Sequence, residues 1–116
     1  MTLFNLKNPI TYTFDGETAT YKYIETANYE FRNTALILKT QTLDFPIDTD
    51  ITISVNISPL MPNYISVNTN SYAVNKLYKE LVNQGILKMT GQTIKSGFCE
   101  YPIAIFNNND LTETEN

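Results

Sequence analysis

Few side chains in this sequence could do covalent chemistry, and their spacing limits what that chemistry could be. Cys99 is the single thiol, and the 116 residues include no histidine, so the usual imidazole activation of a thiolate is closed to it. Alternation from Phe98 to Phe106 puts Cys99 on the face shared with Tyr101 and Ile103, the setting of a buried or half-buried structural thiol. Asp44, Asp48 and Asp50 place three carboxylates within seven residues. A calcium loop of the EF-hand type would need ligands at alternate positions, a loop glycine and a closing glutamate. Phe45-Pro46 and the lack of glycine there point instead to a solvated connection, or to an acidic contact surface for a basic partner. Gly91 and Gly97 bound another segment, but no Lys-Ser/Thr follows Gly97 and no helix begins there, which excludes a phosphate loop. Glu25 and Glu30 are the remaining carboxylate pair, and nothing in the sequence sets the separation that a glycosidase requires.

Composition narrows the classes further. Without histidine and with one cysteine, the chain lacks the commonest general base, the commonest transition-metal ligand and any internal disulfide. The expectation is a protein without cofactor or metal, and not an enzyme. The net charge is −4. Setting aside Asp110, Glu113 and Glu115 leaves nine acidic against eight basic residues, so the folded part is nearly neutral. The cations are scattered and form no basic run, so direct DNA binding is not expected. No stretch approaches a membrane span, and the first residues lack a basic, apolar leader. With the unpaired cysteine, this implies a cytoplasmic location. Eight tyrosines and six phenylalanines are a large aromatic share for this length; most are expected in the core or half-buried in the sheet, and tyrosine is also a residue that binding surfaces favour.

The elements that would position these groups are mostly strands. Ile10, Tyr12 and Phe14 alternate with threonines, Asp15-Gly16 is a turn signal, and Ala19, Tyr21 and Tyr23 alternate again, predicting a hairpin. Thr34–Thr40 is a third strand. Ile51–Ile57 has every odd position apolar and every even one polar, the clearest strand pattern in the chain, and Tyr64–Val67 is a short further one. Val74, Leu77, Tyr78, Leu81 and Val82 fall on one helical stripe, predicting a helix over about 71–84 that Gly85 ends. Thr90–Gly97 is a loop or hairpin arm. The last strand is Phe98–Phe106, where Pro102 favours an edge or a strand start. The predicted fold class is α+β: a mainly antiparallel sheet of five to seven strands with one amphipathic helix. Residues 1–106 form a single domain, and 107–116 a disordered acidic tail.

Ile51-Thr-Ile-Ser-Val-Asn-Ile-Ser-Pro59, Tyr64-Ile-Ser-Val-Asn-Thr-Asn70, Leu77–Leu87, Thr90-Gly91 and Ser96-Gly-Phe-Cys-Glu-Tyr-Pro102 occur in that order. Over about residues 50–106 the chain thereby resembles a small domain-of-unknown-function family carried on plasmids, conjugative elements and phages of Gram-positive bacteria. That family shows "TVNLP", "VDTNN", "ENGL", "TG" and "SGFCSYP" blocks. This chain departs from it at Ser58-Pro59 and by carrying Tyr72 where relatives often have tryptophan. The resemblance implies the setting of a mobile element, where small non-enzymatic proteins disarm host defences by covering a working surface. The expected function is stoichiometric, anti-CRISPR-type inhibition of a host defence nuclease, a Cas9-type enzyme or its guide-RNA complex. Asp44, Asp48, Asp50, Lys95, Glu100 and Tyr101 are the candidate partner-binding residues. The alternative is a sponge for a nucleotide second messenger, with Gly91–Phe98, Lys95 and nearby tyrosines walling its pocket.

Overall fold

A computed structural model describes residues 2–29, 33–43, 45–57 and 60–114. Among them are nine strands and one helix: β1 (Thr2–Phe14), β2 (Glu17–Asn28), β3 (Thr34–Lys39), β4 (Ile51–Thr52), β5 (Ser54–Val55), β6 (Tyr64–Val67), α1 (Tyr72–Asn83), β7 (Leu87–Ser96), β8 (Cys99–Phe106) and β9 (Thr112–Glu113). They make two antiparallel sheets, ordered β4-β3-β2-β1-β9 and β5-β6-β8-β7. The expectation of one sheet of five to seven strands is therefore corrected. The fold is mostly β, 55% strand and 11% helix, in two sheets.

The division happens inside the segment with the most regular alternation. Ile51–Ile57 is not one strand, because its first half pairs with β3 and its second half with β6. Ile53 is the corner. Its N–H donates to the Leu36 carbonyl of the first sheet (2.8 Å), and its carbonyl accepts from Asn68 beyond β6 (2.9 Å). The apolar/polar alternation of the sequence does not carry through the corner as burial: Ile53 and the next residue, Ser54, are both buried, Ser54 accepting from the Leu36 N–H through its hydroxyl (3.0 Å), while Val55 is half-buried. Ile53 is fully buried between the two sheets.

Both inner faces and α1 share one core, with Ile24, Leu36, Leu38, Ile53, Ile65, Val67, Leu77 and Leu81 among its members. Phe4 and Phe106 join the sheets edge to face, their ring centroids 5.8 Å apart. The helix starts at Ser71, whose hydroxyl accepts from the Val74 N–H (3.3 Å). It ends in a Schellman motif: Ile86 N–H to Leu81 carbonyl and Gly85 N–H to Val82 carbonyl, both 3.0 Å. Gly85 has φ +77°, a conformation that glycine adopts without the Cβ clash.

Two further expectations concern Pro102 and the C-terminal segment. Pro102 lies inside β8 and not at its start, at a position where β8 has β7 on one side and no described strand on the other, a local edge of the sheet. It is tolerated because β6 pairs only with residues 103–105 of β8, while β7 is bulged between Met89 and Thr93 beside it. A missing N–H there breaks no regular ladder bond. The segment expected to be a disordered tail instead returns to the first sheet. Phe4 and Asn5 pair with Glu113 and Thr112, Thr114 N–H donates to the Leu3 carbonyl (2.8 Å), and Leu111 packs against the core. One apolar side chain and a free strand edge suffice to anchor a sequence that is otherwise polar. Residues 115 and 116 lie outside the described residues.

Candidate functional site

The first hairpin is longer than the core it serves. Pro9 sits where the β1–β2 register shifts, between Asn5 and Ile10, and Gln84 at the end of α1 donates to the neighbouring Asn8 carbonyl (3.1 Å). Beyond that irregularity one row pairs Thr11 with Thr20 and Thr13 with Thr18, their hydroxyls 3.3 and 3.0 Å apart. The other row pairs Ile10 with Tyr21, Tyr12 with Ala19 and Phe14 with Glu17. Asp15 and Gly16 close the turn with φ +47° and +81°, the two positive values of a type I′ hairpin. The inner row thus starts in the core at Ile10 and Tyr21 and runs out into solvent at Phe14, which is 63% exposed.

That emerging row walls a cleft of about 340 Å³. Tyr12, Phe14 and Tyr21 form one side, the connection carrying Asp48 and Thr49 another, and Ser71 and Ala73 of the first turn of α1 the third. Glu17, exposed, also lines the cleft. Asp50 is half-buried near Tyr21. One of its carboxylate oxygens (Oδ2) accepts from the Ile47 N–H (3.1 Å), and the other (Oδ1) is buried with no partner. Burial first, then the negative charge of Asp50, then Tyr12, push the Tyr21 phenol above its ordinary value. Among the described residues, no cation lines this cleft. The neighbouring Lys76 lies over the Tyr72 ring, 5.1 Å from its centroid, and hydrogen bonding to the Tyr72 side chain raises its pKa.

The sequence-derived set of six residues divides in two. Asp48 lines the cleft, Asp50 lies near its Tyr21, and Asp44 lies outside the described residues. Lys95, Glu100 and Tyr101 lie on the β7–β8 hairpin, where Lys95 pairs with Glu100 and Ile94 with Tyr101. Glu100 accepts from the Thr93 hydroxyl. The Tyr101 phenol bonds the Cys99 side chain, which raises its pKa, and also Asn70, which opposes that shift. Cys99 is half-buried and engaged with Tyr101. The start of α1 lies between the two groups, with Asn70 touching Tyr101 while Ser71 and Ala73 line the cleft. Gly91–Phe98 is an arm of this hairpin, and none of its residues lines the cleft. Gly97 (φ +61°) and Phe98 make its two-residue turn, and Phe98 is fully exposed at the tip.

Glu25 is buried in an ion pair with Lys39 (3.2 Å), a structural arrangement that leaves no room for glycosidase chemistry. Glu30 lies outside the described residues. Among the described residues, no group of three His, Cys, Asp or Glu could hold a metal ion, and no helix is long and apolar enough to cross a membrane. Tyr12, Phe14, Glu17 and Tyr21 are the cleft residues that the sequence reading did not single out. The signal available was Phe14 beside Asp15-Gly16, since an aromatic adjoining a hairpin turn lies beyond the reach of a small core.

Fold and cleft together define a small two-sheet β protein that presents an acidic, aromatic recess and an exposed aromatic hairpin. The family model for a domain of unknown function (DUF4313) matches residues 22–116, and the chain belongs to that family. No curated protein and no solved structure matched.

Proposed function

We propose that this is a non-enzymatic anti-defence protein of a mobile element or phage, which inhibits a host nuclease of the Cas9 type, or its guide-RNA complex, by stoichiometric binding. The observation that carries this reading is the unbalanced charge at the cleft. Glu17 and Asp48 line a cleft with aromatic surface, and Asp50 lies near its Tyr21, with no described cation paired to them, whereas a carboxylate serving the fold, Glu25, is paired and buried. Such a surface complements the Lys/Arg groove in which a nuclease holds phosphates. Phe98, presented on a two-residue turn, supplies the rigid apolar anchor that a protein interface uses as a hot spot.

A nucleotide sponge is the weaker reading, because the carboxylates of the cleft repel phosphate and Lys95 is on another hairpin. The test is a pull-down against a type II Cas9, with and without guide RNA, paired with a DNA-cleavage assay. The expected result is a stoichiometric complex with lost cleavage, relieved by combining Glu17→Gln, Asp48→Asn and Phe98→Ala. Full cleavage with no complex removes this target. An ultraviolet-absorbing ligand released on denaturation would then favour the sponge.

A further inference from the structure

We infer that the cleft between the first hairpin and α1 is a receptor for one arginine side chain of the partner protein. This deepens the inhibitor reading and rests on it. Shape comes first: about 340 Å³ is at the low end of the range for small-molecule pockets, roughly 300–1,000 Å³. That is room for one long side chain.

The wall chemistry selects a cation. Tyr12 and Phe14 present ring surface, which attracts a cation through the ring quadrupole, and the buried Tyr21 also lines the cleft. Asp48 and Glu17 add two carboxylates, and Asp50 is close enough to perturb Tyr21 while one of its oxygens has no partner. Opposing this is the N-terminus of α1, equivalent to about +0.5 charge. Two whole carboxylates outweigh it, and the Ser71 hydroxyl already accepts from the first turn.

Arginine fits better than lysine for two reasons. A guanidinium is planar and weakly hydrated, so it stacks on rings at low desolvation cost, and its fork of donors can address two carboxylates at once. The adjoining turn of the helix already seats a cation on an aromatic ring, Lys76 on Tyr72.

The test is NMR titration of the full chain with N-acetyl-arginine amide and, in parallel, N-acetyl-lysine amide. The arginine amide should give saturable shifts confined to Tyr12, Phe14, Ala19, Asp48 and Ala73, at a lower concentration than the lysine amide. Glu17→Gln with Asp48→Asn, which removes both carboxylates, should weaken that binding by at least about tenfold. Phe14→Leu, which keeps bulk without the ring, should weaken arginine more than lysine. All three positions are on the surface, and the unperturbed spectrum verifies the fold of each variant. Shifts scattered over all acidic residues, no saturation at the cleft, or equal response to both amides would overturn the assignment. Arginine binding without any nuclease complex would instead remove the inhibitor reading and leave the receptor. Full inhibition by a variant that no longer takes arginine would remove the cleft from the interface.

Discussion

Two groups of carboxylates in this protein have opposite surroundings. Glu25 lies on the first sheet with its side turned away from Ile24 and Leu38, 7% exposed, and Lys39 beside it is 2% exposed. Their charged atoms are 3.2 Å apart, and the Lys39 ammonium also donates to the Leu43 carbonyl. Glu17 and Asp48, by contrast, stand exposed at an aromatic recess with no described cation paired to either. One pair of charges satisfies itself at the cost of desolvation, and the other keeps its hydration and its unbalanced field. A charge that helps hold a fold needs its counter-charge within the chain, and a charge that serves recognition leaves that place to a partner.

Removing one member of the buried pair gives the largest expected effect. Lys39→Ala leaves the Glu25 carboxylate buried without its ammonium, and urea unfolding should show a loss of about 3–5 kcal/mol. The double variant Glu25→Leu/Lys39→Met should regain most of it, since no uncompensated charge remains. A single variant as stable as the parent would mean that Glu25 reaches water, and the contrast between the two groups would collapse. Next in size is the cap that bounds the recess. Ser71→Ala removes the acceptor for the Val74 N–H and should cost about 1 kcal/mol, read in the same unfolding experiment.

The alkaline limb sharpens the contrast from the other side. The Tyr21 phenol is raised by burial and by Asp50 above the ordinary phenol value of 10.0, so the native state holds that proton more tightly than the unfolded chain. The resulting stability is fully present below pH 10 and is lost as pH rises through the folded value. Tyr78, raised by burial alone, adds to the same limb. Asp50→Asn should lower the Tyr21 midpoint in an ultraviolet tyrosinate titration and leave Tyr78 where it was. Equal movement of both, or of neither, would place Asp50 away from the recess.

Local pattern in the sequence was a good guide to elements and a poor one to their assembly. The Asp15-Gly16 turn, the stripe Val74–Leu81 and Gly85 are short-range signals, and the structure places a hairpin turn, a helix and a helix end at them. Assembly depends on which strands become neighbours, and no local period encodes that. Ile51–Ile57 alternates without a break, yet Ile53 hands the chain from one sheet to the other. The acidic segment after Phe106 has almost nothing to bury, yet β9 finds the free edge of β1. The candidate site was half legible for the same reason. Asp48 and Asp50 stand out as a carboxylate cluster, but the aromatic wall comes from a hairpin some thirty residues away. Tyr12 and Phe14 look like core until the length of that hairpin is known.

The smallest expected effect is the most informative about what the cleft is for. Glu17→Gln with Asp48→Asn removes two charges that no described cation balances, so the fold has little to lose. Surface changes of this kind fall within about 0.5 kcal/mol, and relief of like-charge repulsion beside the half-buried Asp50 favours the stabilising direction. Stability unchanged or slightly higher, together with weaker partner binding, is the signature of residues kept for recognition at some expense to the fold. A clear destabilisation would show that these carboxylates hold the hairpin to the helix, which would return the cleft to the same class as Glu25 and Lys39.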